Sequence, residues 1–247
     1  MDPSSALLSA LDAVYEAFSG YPRPTRLEAS PTRDPAKILS TLSSAPLREL
    51  KGEEIGPYSG WALTTVGSIT DYKHFLPRIL EQAVRASEWM GTQPPVIASR
   101  LKMAQWRTWP QSEQQAVSAL FLAALRDSIH GHPDDGSDAS EWLCAVASLG
   151  EDLEPVLQEW LSEASGNALL QIAKLATELS SLASLDPREQ IFWSDVDPEV
   201  RTVIVAWLLS APIDANLANG PGIDPNDTWR LEQGTRAIDE YRGASQH

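Results

Sequence analysis

The chain is poor in the features that mark secreted and membrane proteins. Cys144 is its only cysteine, so no disulfide can form within the chain, as is usual in the reducing cytosol. No apolar run approaches the ~18 residues that a membrane span needs. The first ten residues contain Asp2 and no cluster of basic side chains, and they therefore lack the pattern of a secretory signal. These absences predict a cytoplasmic protein without a membrane segment.

Basic side chains are also scarce. The 247 residues include 19 Lys and Arg against 34 Asp and Glu, which gives a net charge of −15 at neutral pH. Nearly all of the excess lies in the second half, because residues 1–110 hold 12 basic and 11 acidic side chains whereas residues 111–247 hold 7 and 23. This balance argues against a nucleic-acid partner, whose backbone is bound through Lys and Arg. We expect one domain over residues 1–247 with a near-neutral lobe, 1–110, and an acidic lobe, 111–247.

Alternating strand patterns of five or more residues are missing, whereas helical patterns recur along the chain. From Gln111 to His130, apolar side chains return every three or four residues, the period of one buried helical face. Asp34-Pro35 and Asp197-Pro198 each place a capping acceptor before a proline, a common helix start, and Thr70 or Asp71 is expected to cap another helix. The sequence predicts an all-α fold with a short helix from Pro35 and further helices near 3–18, 44–50, 70–89, 95–105, 111–130, 138–149, 152–163, 167–185, 198–210 and 227–242.

One internal similarity has a period of 47 residues. The apolar positions of residues 153–161 recur in spacing and character at residues 200–208, and Trp160 matches Trp207. This offset lies at the long end of the period of HEAT and armadillo repeats. The sequence therefore predicts antiparallel helical hairpins, arranged either as a HEAT- or armadillo-like α-solenoid or as an irregular helical bundle.

The most suggestive polar cluster lies between Asp71 and Glu81. On a helical wheel, Asp71, His74, Arg78 and Glu81 fall within one sector of roughly 80°. A carboxylate there can orient His74 for proton transfer, and Arg78 can bind an anion. The same spacing is typical of the polar face of an amphipathic helix, whose side-chain pairs add only about 0.2–0.5 kcal/mol each. Pro77 predicts a kink or a restart within this helix.

Trp106 and Trp109 form a second candidate site. They are three residues apart and are flanked by Lys102 and Arg107. An exposed cluster of aromatic and basic side chains can stack a ligand or anchor a partner. The alternative is packing at the junction of two helices.

Several short motifs of the first half are distinctive. They are His74–Glu81 (HFLPRILE), Trp106–Pro110 (WRTWP), Tyr21–Pro24, Arg33–Pro35 and Ser44–Arg48. Together they resemble a family of uncharacterised all-helical bacterial proteins of similar length, and the resemblance covers most of residues 18–130. Because that family has no established activity, the resemblance implies no catalytic residue.

The loop that follows Ile129 contains residue types that bind metals. His130, His132 and Asp134 can supply imidazole and carboxylate ligands to zinc. The aspartates of this loop do not have the spacing of an EF-hand, which needs alternating acidic ligands before its glycine and a glutamate after it. A solvated acidic loop explains the same residues, and we predict neither a bound metal nor a cofactor.

Motifs of nucleophilic catalysis and of phosphate binding are missing. Ser59 stands one place too late between Gly56 and Gly60 for a nucleophile elbow. The segment 220–222 lacks the third glycine of a dinucleotide loop. These absences favour a binding protein over an enzyme.

Helical hairpins and an acidic second half predict that the partner is another protein. A narrower hypothesis is the neutralisation of a basic protein, as by an immunity protein that masks a toxin, because charge speeds encounter and suppresses wrong partners. A structural subunit of a larger assembly is a further possibility. The alternative is a small-ligand receptor or an enzyme that uses the Asp71, His74 and Arg78 face with Trp106 and Trp109.

Overall fold

Helices make up the regular structure of the described chain. A computed structural model describes residues 3–85, 91–136, 138–163, 165–219 and 222–244. Within these ranges lie thirteen α-helices, five short 3-10 turns and two isolated β-bridges, and there is no β-strand. The all-α prediction is therefore confirmed.

By its internal contacts the chain divides into two units, the N-terminal unit (residues 2–124) and the C-terminal unit (residues 125–247). The division lies within the sixth helix, whereas the sequence predicts a boundary between the two lobes at residue 110. The N-terminal unit contains α1 (Ser5–Ala17), α2 (Pro35–Leu42), α3 (Gly52–Trp61), α4 (Ile69–Val84), α5 (Pro94–Met103) and the first part of α6 (Gln111–His130). The C-terminal unit contains the rest of α6 and α7 (Ala139–Ser148), α8 (Glu154–Ser162), α9 (Gly166–Ala176), α10 (Leu179–Ala183), α11 (Pro198–Leu208), α12 (Ala211–Asn219) and α13 (Thr228–Ala244).

Capping side chains explain where several helices begin. Asp34 and Asp197 each accept a hydrogen bond from a backbone amide in the first turn of their helix, so both Asp-Pro starts are confirmed. The start of α4 differs from the prediction, because Ser68 rather than Thr70 or Asp71 is its N-cap. Asp71 instead completes a capping box with Ser68. The helix then continues through Pro77 to Val84, so of the predicted kink or restart the restart does not occur. The predicted helix end near residue 89 lies outside the described residues.

Two helices, α3 and α12, are missing from the sequence-based prediction. Glycines at positions 52, 56 and 60 lie within α3, and glycine lowers helix propensity by about 1 kcal/mol each. Burial of Ile55 and Tyr58 against the rest of the N-terminal unit outweighs this cost. Conversely, the predicted helix 167–185 is divided into α9 and α10, with a break after Ala176.

The N-terminal unit is built around α4. This helix packs against α1, α3 and the 3-10 turn Leu47–Glu49. Its buried residues include the polar side chains of Lys73, Glu81 and Gln82 as well as its apolar ones. A helix that is covered on several sides must satisfy its charged groups internally, and the contacts described below do so.

The core of the C-terminal unit lies around α9, whose buried residues run through almost its whole length. The last helix, α13, packs most extensively against α9. Helices α7 and α12 also contact α9. Gly234 and Ile238 are the buried residues of α13. The rest of α13 is polar or partly exposed.

The two tryptophans matched by the 47-residue period are in contact. The ring centroids of Trp160 and Trp207 are 5.4 Å apart at an interplanar angle of 44°. These residues lie near the ends of α8 and α11, so the ends of the two helices are adjacent. The solenoid arrangement itself stays a prediction, and the irregular bundle stays its alternative.

No single described helix is long and apolar enough to cross a membrane. Only α11 and α12 together reach the required length and composition, and they are bent by 47° at the break between them.

Candidate functional site

The polar face of α4 is covered by other segments of the N-terminal unit. His74 Nδ1 lies 2.9 Å from the Tyr21 carbonyl oxygen, and because a carbonyl only accepts, this nitrogen donates the hydrogen bond. Arg78 Nε donates to the Leu50 carbonyl at 2.7 Å, and its Nη1 donates to Glu81 at 2.6 Å. The two predicted site residues therefore tie the chain segments on either side of α2 to α4.

Asp71 has a different role from His74 and Arg78. Its Oδ2 accepts hydrogen bonds from the amide and the hydroxyl of Ser68, each at 2.8 Å. These bonds complete the capping box at the start of α4. The carboxylate is thus held at the helix terminus and makes no hydrogen bond to His74.

Trp106 and Trp109 are packed in the interior of the N-terminal unit, with 2% and 6% of their surface exposed. Trp109 Nε1 donates to the Ala104 carbonyl at 3.0 Å, and its ring meets the ring of Phe18 edge-on at 5.8 Å. The Arg107 guanidinium lies 4.1 Å from the Trp106 ring centroid. This is the arrangement expected for packing at a helix junction.

A cleft of about 650 Å³ lies beside His74. Its lining includes Tyr15, Tyr21, Arg48 and His74, but none of the other four predicted site residues. His74 Nε2 is buried and has no hydrogen-bond partner in the described structure. The five side chains of the predicted site therefore do not converge on this cleft.

A buried charge cluster around Lys73 of α4 was not predicted from the sequence. Lys73 Nζ lies 2.6 Å from Glu113 Oε2 and donates to the Tyr21 hydroxyl at 2.9 Å, and this hydroxyl donates to Glu113 Oε1 at 2.6 Å. The ammonium also lies 4.1 Å from the Trp109 ring centroid, within the range of a cation–π contact. Lys73 and Glu113 are 40 residues apart, so no local pattern indicates that they pair.

Glu81 joins α4 to α1 through a second buried cluster. The Tyr15 hydroxyl donates to Glu81 Oε2 at 2.7 Å, and Arg78 and Arg85 also bond to this carboxylate. Burial raises the pKa of Glu81, but the hydrogen bonds from Tyr15 and the arginines outweigh burial and leave the pKa below its ordinary value. Burial, together with the hydrogen bond to Glu81, raises the pKa of Tyr15. These groups stabilise packing and leave no free acid or base.

The predicted metal ligands are separated in the structure. His130 Nδ1 lies 3.8 Å from Glu163, whereas His132 and Asp134 group with Asp227 so that one possible ligand atom of each lies within 4.8 Å of the others. Arg230 bonds to Asp134 at 2.6 Å and to Asp227 at 3.1 Å. The guanidinium already pairs with both of the carboxylates that a metal would need.

Both ring nitrogens of His132 are also engaged. Nδ1 accepts a hydrogen bond from the Asp134 amide at 3.1 Å, and Nε2 lies 3.2 Å from Asp227 Oδ2. A metal would have to replace at least one of these bonds. These contacts join the 131–136 loop to the start of α13.

A group of carboxylates lies around the start of α7 in the C-terminal unit. Asp138 caps this helix and pairs with Lys174 at 2.9 Å, while Glu178 accepts hydrogen bonds from Ser140 and from Trp193 Nε1. Burial, together with the negative charges of Asp138 and Glu178, raises the pKa of Glu141 to about 7. Glu141 therefore changes charge near neutral pH, although it does not line a described cleft.

The acidic excess of the chain belongs to the C-terminal unit. Residues 2–124 hold 12 basic and 12 acidic side chains, whereas residues 125–247 hold 7 and 22. Six of those 7 basic side chains are held within the unit: Arg126, Lys174, Arg188, Arg230 and Arg242 in ion pairs, and Arg201 on two backbone carbonyls. Nine exposed carboxylates of the described C-terminal unit make no ion pair: Asp135, Asp152, Glu154, Glu189, Asp197, Glu199, Asp224, Glu232 and Glu240.

Comparison with known proteins assigns neither a family nor a function to the chain. No model of a known protein family matches the chain, and no curated protein or solved structure matches it.

Proposed function

We propose that the protein binds a basic protein through the acidic surface of its C-terminal unit. The observation that supports this proposal is that six of the seven basic side chains of that unit are held by acceptors within it, which leaves the nine exposed carboxylates without an ion-pair partner among the described residues. An uncompensated surface of one sign attracts oppositely charged partners and suppresses others. Neutralisation of a basic toxin, as by an immunity protein, is the narrower form of the proposal.

The first test is capture of the partner at two salt concentrations. The tagged chain of 247 residues is incubated with extract of its native cell, and the captured protein is identified by mass spectrometry. That protein is then purified and titrated with the chain. Between about 50 and 500 mM salt the Debye length falls from about 14 to about 4 Å. We expect a partner of net positive charge whose affinity falls at least tenfold over this range.

Charge-neutralised variants locate the binding surface. The test variant replaces four exposed glutamates of the C-terminal unit with glutamine, at Glu154, Glu199, Glu232 and Glu240. The matched control removes the same charge from the N-terminal unit through Asp12→Asn, Glu16→Gln, Glu28→Gln and Glu49→Gln. We expect weaker binding by the first variant alone. Affinity that is insensitive to salt, or that falls equally in both variants, contradicts the proposal.

The alternative of a ligand site on the α4 face has less geometric support. Asp71 is used in the capping box of α4, and Nε and Nη1 of Arg78 are bonded to Leu50 and Glu81. His74 alone of the five residues lines a cleft of about 650 Å³. We therefore place binding of a basic protein first.

A further inference from the structure

A second cleft in the N-terminal unit has the character of a small-molecule site. It lies between α2 and α3 and has a volume of about 340 Å³, within the usual range of ligand pockets. Trp61, Pro57 and Ile38 provide apolar surface, and Arg33, Lys37 and Glu53 bring charged groups to the lining. An apolar wall with a few convergent charged groups is typical of sites that orient a small ligand.

Arg33 is presented to this cleft without an acceptor for its guanidinium. The group lies over the Trp61 ring, 4.0 Å from its centroid, within the range of a cation–π contact. Its Nε is buried and makes no hydrogen bond, and no oxygen of the described residues accepts one from the rest of the guanidinium. Arg78 and Arg100, in the same unit, each donate to a backbone carbonyl. A guanidinium whose donors have no acceptor in the protein can donate to the oxygens of a ligand.

The other charged groups of the cleft narrow the class of ligand. Lys37 Nζ has no ion-pair partner among the described residues, so two cations are available to an anion. Asp34 and Glu54 already accept backbone hydrogen bonds, and Glu54 also bonds to Ser44. Glu53 is exposed and makes no such bond. The three carboxylates of the lining would repel a dianionic phosphate. A ligand with one carboxylate and one cationic group would match both the positive and the negative side chains of the cleft.

We propose that the cleft binds a small zwitterion of the α-amino-acid class. The ligand carboxylate would pair with the two parallel N–H donors of Arg33, and Lys37 would add a second cation. The ligand ammonium would face Glu53, and the remaining part would lie against Trp61 and Pro57. This inference is independent of binding by the acidic C-terminal unit, because all of its residues lie in the N-terminal unit.

The test is a binding survey with the twenty proteinogenic amino acids, by saturation-transfer NMR and then calorimetry on the full chain. We expect at least one amino acid to bind, and both its methyl ester and its N-acetyl derivative to bind at least tenfold more weakly. Arg33→Gln should weaken binding at least tenfold. Arg26→Gln, a change at an exposed arginine paired with Glu28, is the matched control and should bind as the unmodified protein does.

Glu53→Gln is the second test variant, because its exposed side chain can be changed without disturbing the fold. This variant should bind the zwitterion at least threefold more weakly and should bind the N-acetyl derivative as tightly as the unmodified protein does. The proposal is overturned if no amino acid binds at about 10 mM, if the methyl ester binds equally well, or if inorganic phosphate binds more tightly than every amino acid. None of these outcomes changes the result expected for the basic partner.

Discussion

Gly234 of α13 lies directly against Ala173 of α9. A β-carbon placed on residue 234 would lie 2.7 Å from the Ala173 Cα and 2.9 Å from its carbonyl oxygen. The two helices can approach this closely only because residue 234 has no side chain. This contact lies at the most extensive helix–helix packing of the C-terminal unit.

Gly234→Ala is therefore expected to destabilise the protein. Overpacking of a close contact costs about 1–3 kcal/mol, more than the roughly 1 kcal/mol that alanine gains in a helix over glycine. Urea unfolding followed by tryptophan fluorescence measures the difference. Gly243→Ala, on the same helix with no atom within 4 Å of its added β-carbon, is the control and should be neutral or stabilising. Equal stability of the two variants would show that α13 does not cross α9 here.

The Lys73–Glu113 pair predicts a strong loss of stability when only one partner is removed. Both side chains are less than a tenth exposed, so Lys73→Met leaves a buried carboxylate without its counter-ion, at a cost of about 3–5 kcal/mol. The double variant Lys73→Met with Glu113→Gln should lose less than the single variant. Arg26→Met in the exposed Arg26–Glu28 pair should lose at most about 1 kcal/mol. A single variant as stable as this control would contradict the buried pairing.

Glu141 predicts a change of stability with pH. Its pKa is raised to about 7 by burial and by nearby carboxylates, so the folded chain holds this proton more tightly than the unfolded chain. The stability that Glu141 provides when protonated is complete below about pH 4.5 and is lost as the pH rises towards 7. Glu141→Gln should raise the free energy of unfolding by about 2–3 kcal/mol at pH 8 and by about 1 kcal/mol or less at pH 5.

The control for this pH effect is Glu240→Gln on the exposed surface of α13. Its effect should be small and similar at both pH values. Urea titrations of the three proteins at pH 5 and pH 8 provide the comparison. If Glu141→Gln gives the same change at both pH values, Glu141 does not titrate with a raised pKa.

The His132, Asp134 and Asp227 group predicts no stabilisation by zinc. Arg230 bonds to both carboxylates, so a divalent ion would have to displace the guanidinium. We expect the melting temperature in excess Zn²⁺ to match that in EDTA within about 1 °C, because a ligand that binds the folded state must raise it. Arg230→Gln, which removes this guanidinium, is measured under the same two conditions for comparison. A rise with Zn²⁺ that disappears in His132→Ala would establish a metal site.

Local patterns in the sequence were reliable where neighbouring residues determine the structure. The bounds of α6 match the prediction, and both Asp-Pro helix starts carry the expected caps. The glycine-rich α3 was missed because its helical state depends on burial of Ile55 and Tyr58 rather than on propensity. At the α4 face, periodicity correctly grouped His74 and Arg78 on a polar surface but contained no information about the segments that cover it.

Local sequence patterns were sufficient for the all-α class, the main helix starts and the acidic balance of the second half. Helical periodicity and capping act between residues at most a few positions apart, and charge is a property of composition. Long-range packing is what pairs Lys73 with Glu113, brings Glu81 to Tyr15 across 66 positions, and leaves Arg33 at a cleft without an acceptor among the described residues. Each of these depends on which distant segments come together, because a charged side chain is exposed or buried according to what packs against it.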